Sequence, residues 1–455
     1  MKSKYCLLVF LLFMFVSKAN SQKIDSLIVR NFFNEAFNNG KCYGQLDYLC
    51  NQIGNRISGS ANAAKAVEFA YDCLKKEGYD SVWLQPVMVP HWLRGEKEVG
   101  FFIINKKKTL VHICALGNSI ATSKSGIQSK VIEVKNFDEL KKLGREKVEG
   151  KIVFFNRSFP DAIINGAYGI TVDQRSQGPI EAAKLGAIGV VVRSMTHAYD
   201  NFPHTGATSY KDSIPKIPGC AISTIDADLL SQALKENLET EFYFKQNCVM
   251  LPDVLSYNVI AEIKGSEKPE EIILVGGHLD SWDVGTGAHD DGAGTVQSME
   301  ALRLFKAIGI KPKRTLRCVL FMNEENGLKG GLKYAELAEL NKEKHLAAIE
   351  TDAGGFMPRE IGIAVTEEKL LSIQPWQKLL APYGIQSINI HGGGADIGPL
   401  KKQGVVMIGY HPDGQKYFDY HHTDADTFDK VNKRELQFGA VTLAGLMWLI
   451  SEYGL

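Results

Sequence analysis

The chain has no excess of charge of either sign: 52 Lys and Arg stand against 52 Asp and Glu in 455 residues. No block of five or more like charges occurs, and the one short basic run, Lys106 to Lys108, suits a solvated hairpin turn. A nucleic-acid partner is therefore not expected, because phosphate recognition draws on basic groups gathered on one face. Apolar runs of the roughly 20 residues that a membrane-spanning helix needs are also missing. No CxxC pair or dense cysteine framework is present. Cys6 apart, the seven cysteines (42, 50, 73, 114, 220, 248, 318) are odd in number, which leaves at least one thiol unpaired. A Cys42–Cys50 bridge and isolated buried thiols are both open. Internal repeats are absent. The GxGxxG arrangement is absent too, and no Lys-Ser or Lys-Thr follows the loop Gly392 to Asp396, so a phosphate cradle is not expected there.

The 45% of hydrophobic residues and the length are enough for a sizeable core and two or three domains. Lys2 and Lys4 precede eleven unbroken apolar residues, Cys6 to Val16, followed by Ala19-Asn20-Ser21. This pattern predicts a cleaved export signal over residues 1–21 and a secreted or periplasmic mature chain with no integral membrane segment.

Apolar residues at helical spacing predict a helix over Asn62 to Lys76, ended by Gly78, and alternation predicts strands over Ser81 to Val89 and Glu98 to Ile104. These open an α/β unit over residues 22–119. Between about residues 120 and 250 the chain turns to short β-rich runs, Lys130 to Val134, Lys151 to Phe155 and Gly189 to Val192, with a small helix at Pro179 to Leu185. The phrases Val148 to Val153 and Glu181 to Ala187 resemble the protease-associated domain found inside several exported peptidases, which implies an inserted domain. Over residues 251–455 strands and helices alternate: Glu271 to Gly276, Gly292 to Ile308, Thr315 to Phe321, Gly331 to Leu340 and Ala347 to Thr351. Further helices are expected at Lys369 to Leu380 and Arg434 to Glu452, around strands near Ser387 and Val405. Such alternation predicts a mostly parallel mixed sheet flanked by helices.

Ligands of open α/β sheets sit beyond the carboxyl ends of the strands, and chemistry-bearing residues cluster there. The first strand runs into His278-Leu279-Asp280, and a glycine-rich loop then leads to Asp290-Asp291-Gly292. The next strand ends in Glu324-Glu325, the third in Asp352, and the loop before the last helix carries Tyr420 to Asp426. Singly, each suits a cap or a surface carboxylate. Together, acids and imidazoles at successive strand ends would repel unless cations held them. Mixed imidazole and carboxylate donors suit zinc, and two ions can share a carboxylate and activate a shared water, which makes hydrolysis the expected reaction. Asp280, two residues past His278, is placed to orient that imidazole as an outer partner. His289, His204 and His391 are read first as structural.

These motifs resemble the co-catalytic di-zinc exopeptidases, the family of bacterial aminopeptidases and glutamate carboxypeptidases. The resemblance implies two zinc ions, with His278 and Asp352 on one, Glu325 and His422 on the other, and Asp290 bridging. It implies Glu324 as general base and acid towards a metal-bridging hydroxide, and Asp426 in the trailing outer position. Many members carry a tyrosine where this chain has His421. That histidine, Ser281-Trp282-Asp283 and the stretches Tyr168 to Gly206 and Gly392 to Leu400 look most like a subgroup that hydrolyses unblocked dipeptides, usually as a homodimer. His421 is expected to donate a hydrogen bond to the reaction intermediate. The competing readings are an aminopeptidase acting on longer peptides, a non-catalytic binding module and, on a related scaffold, a glutaminyl cyclase. Peptide-recognising residues are not readable from the sequence.

Overall fold

A computed structural model describes residues 23–160 and 166–455; the expected export signal lies outside the described residues. The described residues build two eight-stranded sheets. In the first, the order is Ser81–Leu93, Val249–Ile263, Arg314–Phe321, Lys268–His278, Lys344–Glu350, Val406–Pro412, Pro358–Ile363, Ser387–Asn389. Its four central strands, Arg314–Phe321 to Val406–Pro412, run parallel, as alternation with helices requires. Their register pairs His278 with Phe321 and Gly276 with Glu350, so the residues that follow each strand emerge at one edge.

Helices Ala293–Ala307 and Lys433–Tyr453 cover one face, and their apolar residues form the main core with Val275, Leu320 and Ile349. Asn432 caps the second of these helices, its side chain accepting from the backbone N–H groups of Arg434 and Glu435. Helix Lys329–Leu340 covers the other face through Tyr334, Ala335 and Ala338.

The second sheet, drawn from residues 99–245, packs Phe154, Phe242 and Phe244 on one face and Val153, Phe155 and Val190 on the other. It takes in Val99–Ile104, Lys107–Val111 and Ile113–Ala115, so its strands begin before the expected boundary at residue 120.

Two details depart from the sequence reading for local reasons. The strand at Ser81 continues through Pro90 to Leu93, because it is an edge strand and its register shifts between Val89 and His91, where a missing N–H costs no ladder bond. The single helix expected over Lys369 to Leu380 is two, Glu367–Ile373 and Pro375–Leu380, divided at the proline. All seven described cysteines, Cys42 and Cys50 included, are free thiols. No helix among the described residues is long and apolar enough to cross a membrane.

Candidate metal centre

The strand ends bring His278, Asp290, Glu325, Asp352 and His422 into one neighbourhood. Asp290 stands at its centre with its two oxygens facing different partners. Oδ1 lies 3.1 Å from His278 Nε2, which in turn is 3.6 Å from Asp352 Oδ1. Oδ2 lies 3.1 Å from His422 Nε2, which is 3.1 Å from Glu325 Oε2. His421 Nε2 approaches the same Asp290 oxygen at 3.6 Å, its ring stacked on His422 with centroids 3.5 Å apart. Two overlapping triads, His278-Asp290-Asp352 and Asp290-His421-His422, each offer ligand atoms within 4.8 Å of one another.

Backbone geometry places each side chain. Asp291 accepts from the backbone N–H groups of His278 and Gly294, which ties the end of the His278 strand to the start of the following helix. Gly277 is required there, since a Cβ would stand 2.2 Å from Asp291 Oδ2. Asp426 accepts from the backbone N–H groups of His289 and Asp290, and so holds the central carboxylate from outside. Arg56, fully buried, donates to the carbonyls of Leu279, Thr286 and Gly287 and braces the glycine-rich loop. His422 has a left-handed backbone (φ 62°), a strained conformation of the kind that persists where surroundings over-determine it.

The outer role expected of Asp280 takes a different form. His278 Nδ1 is hydrogen-bonded to the backbone carbonyl of Asp280 at 3.0 Å, whereas the carboxylate is 3.8 Å away. Asp280 Oδ1 instead accepts from the backbone N–H groups of Asn323 and Glu324. The carboxylate thus orients the Glu324 turn, because the strand register sets that turn beside it.

Electrostatics support a cation-binding reading. Burial, with the Asp352, Glu325 and Asp290 charges, pushes the Glu324 carboxyl well above the carboxylate range against the opposing pull of His278. Burial and Asp290 raise Glu325 to about 7. His422 rises to about 10 because Glu325 and Asp290 outweigh the cost of burying its charge. His421, by burial and the neighbouring His422, is held well below the usual imidazole value. Asp290 Oδ2 is buried without a well-formed hydrogen bond. Crowded carboxylates, imidazole nitrogens and an orphaned oxygen between two donor sets fit a pair of divalent cations.

The cluster lines a cavity of about 410 Å³ together with Asn118, Tyr168, Arg175, Thr208, Ser209, Asn326 and Tyr417. Of these, Asn118, Thr208, Ser209, Asn326 and Tyr417 were not anticipated from the sequence. Tyr168 and Arg175 lay only within a broad stretch of resemblance. Arg175, 6% exposed, donates to the Thr205 carbonyl and the Tyr168 hydroxyl, and its Nε has no partner. Tyr417 donates to Asp352 Oδ1 at 3.3 Å. No sequence signal marks these residues, because they come from segments remote in the chain. His289 stacks between Phe356 and Tyr420, and His391 pairs with Glu360; neither joins the triads above. His204 is buried.

A model described as peptidase family M28 matches residues 258–447. Carboxypeptidase Q of Homo sapiens is 37% identical over 412 residues, covering 90% of this chain and 85% of the relative. The crystal structure of a peptidase M28 precursor from Shewanella amazonensis superposes with a TM-score of 0.90 at 34% identity, covering 94% of this chain and 97% of that one. A zinc aminopeptidase from Bacillus subtilis shares the fold, with a TM-score of 0.64 at 20% identity over 89% and 93% of the two chains.

Proposed function

This chain belongs to peptidase family M28, and from that premise we propose that it is an exported di-zinc exopeptidase that hydrolyses unblocked dipeptides or short peptides. The observation that carries the reading is the division of Asp290, one oxygen towards His278 and Asp352 and the other towards His422 and Glu325. Those five residues would hold the two ions. A bound zinc pair supplies Lewis acidity that polarises the scissile carbonyl and lowers the pKa of a water towards about 7.

Glu324 is half-buried on the cavity wall and, with its backbone held by Asp280, takes the proton from the attacking water and passes it to the leaving amine. Its neighbour Glu325 faces His422, which separates proton carrier from ligand. His421 holds the oxygen of the scissile carbonyl as negative charge develops there. Arg175 is the one Lys or Arg among the described residues lining this cavity, and it suits a free substrate carboxylate. The expected export signal over residues 1–21 supports a location outside the cytoplasm, and the name of the carboxypeptidase Q relatives supports a peptide substrate. The second sheet is read as part of the inserted domain, and the short helices Ala167–Thr171 and Asp173–Ser176, between its strands Ile152–Phe155 and Gly189–Arg193, bring Tyr168 and Arg175 to the cavity.

The test is a panel of dipeptides, free and blocked at either end, given to the zinc-replete mature protein. Cleavage of free dipeptides, lost when either end is blocked, is expected. Cleavage that survives a blocked C-terminus on longer peptides points instead to an aminopeptidase, and a full complement of zinc with no hydrolysis of any peptide overturns the reading.

A further inference from the structure

The ligand residues proposed for the second ion are both held by groups that converge on one buried arginine. His422 is paired with Thr205 of the second-sheet segment at two points: Thr205 N–H donates to the His422 carbonyl at 3.0 Å, and His422 Nδ1 faces the Thr205 carbonyl at 3.2 Å. With Nε2 of His422, which faces Asp290 and Glu325, given to an ion, Nδ1 would carry the proton towards the Thr205 carbonyl; Arg175 Nη1 also lies 3.4 Å from Nδ1. Glu325 is held through Oε1 by the backbone N–H of Trp282 at 3.1 Å, and the Trp282 ring meets His422 edge-on at 5.6 Å.

Arg94 joins these two supports. Its Nη2 and Nε reach the two oxygens of Asp283, the residue after Trp282, at 2.5 and 2.9 Å. Its Nη1 donates to the Ala115 carbonyl at 2.6 Å, and the Thr205 hydroxyl donates to that same carbonyl at 2.7 Å. Nη2 also lies 3.4 Å from the Thr205 hydroxyl. Glu98, 3.2 Å away, balances the remaining charge, and the guanidinium lies over Trp92, whose ring meets Trp282 edge-on. The Arg94 side chain is only 10% exposed, so this is a desolvated, bidentate pair rather than a surface contact. In the other half, His278 is held by the Asp280 carbonyl and Asp291, within residues 278–291, and Asp352 accepts from Tyr417 of the short helix before His421, so among the described residues these supports do not come from the second sheet.

We propose that Arg94 is the positioning residue of the Glu325–His422 half of the cluster, locking the Trp282 loop to Thr205 so that its loss weakens one of two zinc ions and spares the other. The inference rests on the di-zinc reading above. It assigns to the junction between the two sheets a part in metal affinity, beyond forming a wall of the cavity.

The test titrates zinc into the full chain against a chromophoric chelator, for the unaltered protein, Arg94→Lys and Asp283→Asn. Lysine keeps a cation against Asp283 and Glu98 but lacks the planar fork. Asp283→Asn is nearly isosteric and carries the same test if Arg94→Lys fails to fold. Each change is also made in His278→Ala and His422→Ala backgrounds, which leave one half of the cluster apiece. In the His278→Ala background the remaining ion is expected to bind about 10- to 100-fold more weakly. In the His422→Ala background the change stays within about threefold, the range of independent sites. Equal weakening in both backgrounds, or none in either, overturns the inference and leaves the di-zinc reading standing. An unaltered protein that binds fewer than two zinc ions overturns that reading and this inference with it.

Discussion

The half of the cluster around His278 and Asp352 and the half around Glu325 and His422 share Asp290 but differ in what holds them. The first is built on the ends of neighbouring parallel strands, and its supports are the Asp280 carbonyl and Asp291 from the strand end and the loop after it, with the Tyr417 hydroxyl of a short helix on Asp352. The second is assembled from a loop after Arg314–Phe321 and a left-handed residue after a short helix, and its supports cross to the second sheet through Thr205. A site half on rigid strand ends and half on braced loops keeps one position precise and makes the other dependent on the junction between the sheets.

The sharpest way to break the comparison is to remove what the halves share. Asp290→Ala is expected to empty both positions and lower kcat/KM on the order of 10⁴-fold, the scale of residues that act as a unit. Elemental analysis finding one zinc retained would show that the halves do not share this carboxylate. Glu324→Gln should leave both ions bound and reduce kcat by about 10²- to 10⁴-fold with little change in KM, as expected for a lost general base. Empty sites in that variant would place Glu324 among the ligands instead. His421→Ala removes a proposed donor to the reacting oxygen and should cost about 10²- to 10³-fold in kcat; near-normal turnover would reduce His421 to packing against His422. Asp426→Asn loosens the backbone that presents Asp290 to both halves, and chelator competition should show both ions weakened about 10- to 100-fold. A one-sided loss there would assign Asp426 to a single half.

The two halves were also unequally legible before the structure was known. His278 and Asp352 follow hydrophobic runs that read as strands, and parallel strand ends converge by topology, while Asp290 closes the glycine-rich loop that begins at the first of those ends. Glu324 and Glu325 were legible as a pair and the family resemblance set Glu325 with His422; the turn at Asn323 (φ 73°) and its hold by Asp280 are the physical means by which Glu325 comes to face it. The outer role of Asp280 was expected on the His278 ring because two-residue spacing suggests it. The backbone carbonyl was already in place to accept that proton, which freed the carboxylate for the adjoining strand's turn. Arg56, Arg94 and Thr205 carry no local signal, since each acts on residues well over a hundred positions away in the chain.

Order along the chain was enough to determine the strand and helix alternation, the donor residue types and the edge of the sheet where they gather, because periodicity and strand polarity are local properties. The split of Asp290 between two donor sets, the seating of His422 against Thr205 and the contacts of Arg94 were decided only by tertiary structure. They depend on hydrogen-bond directions between segments that meet only when both sheets have folded and closed on one another.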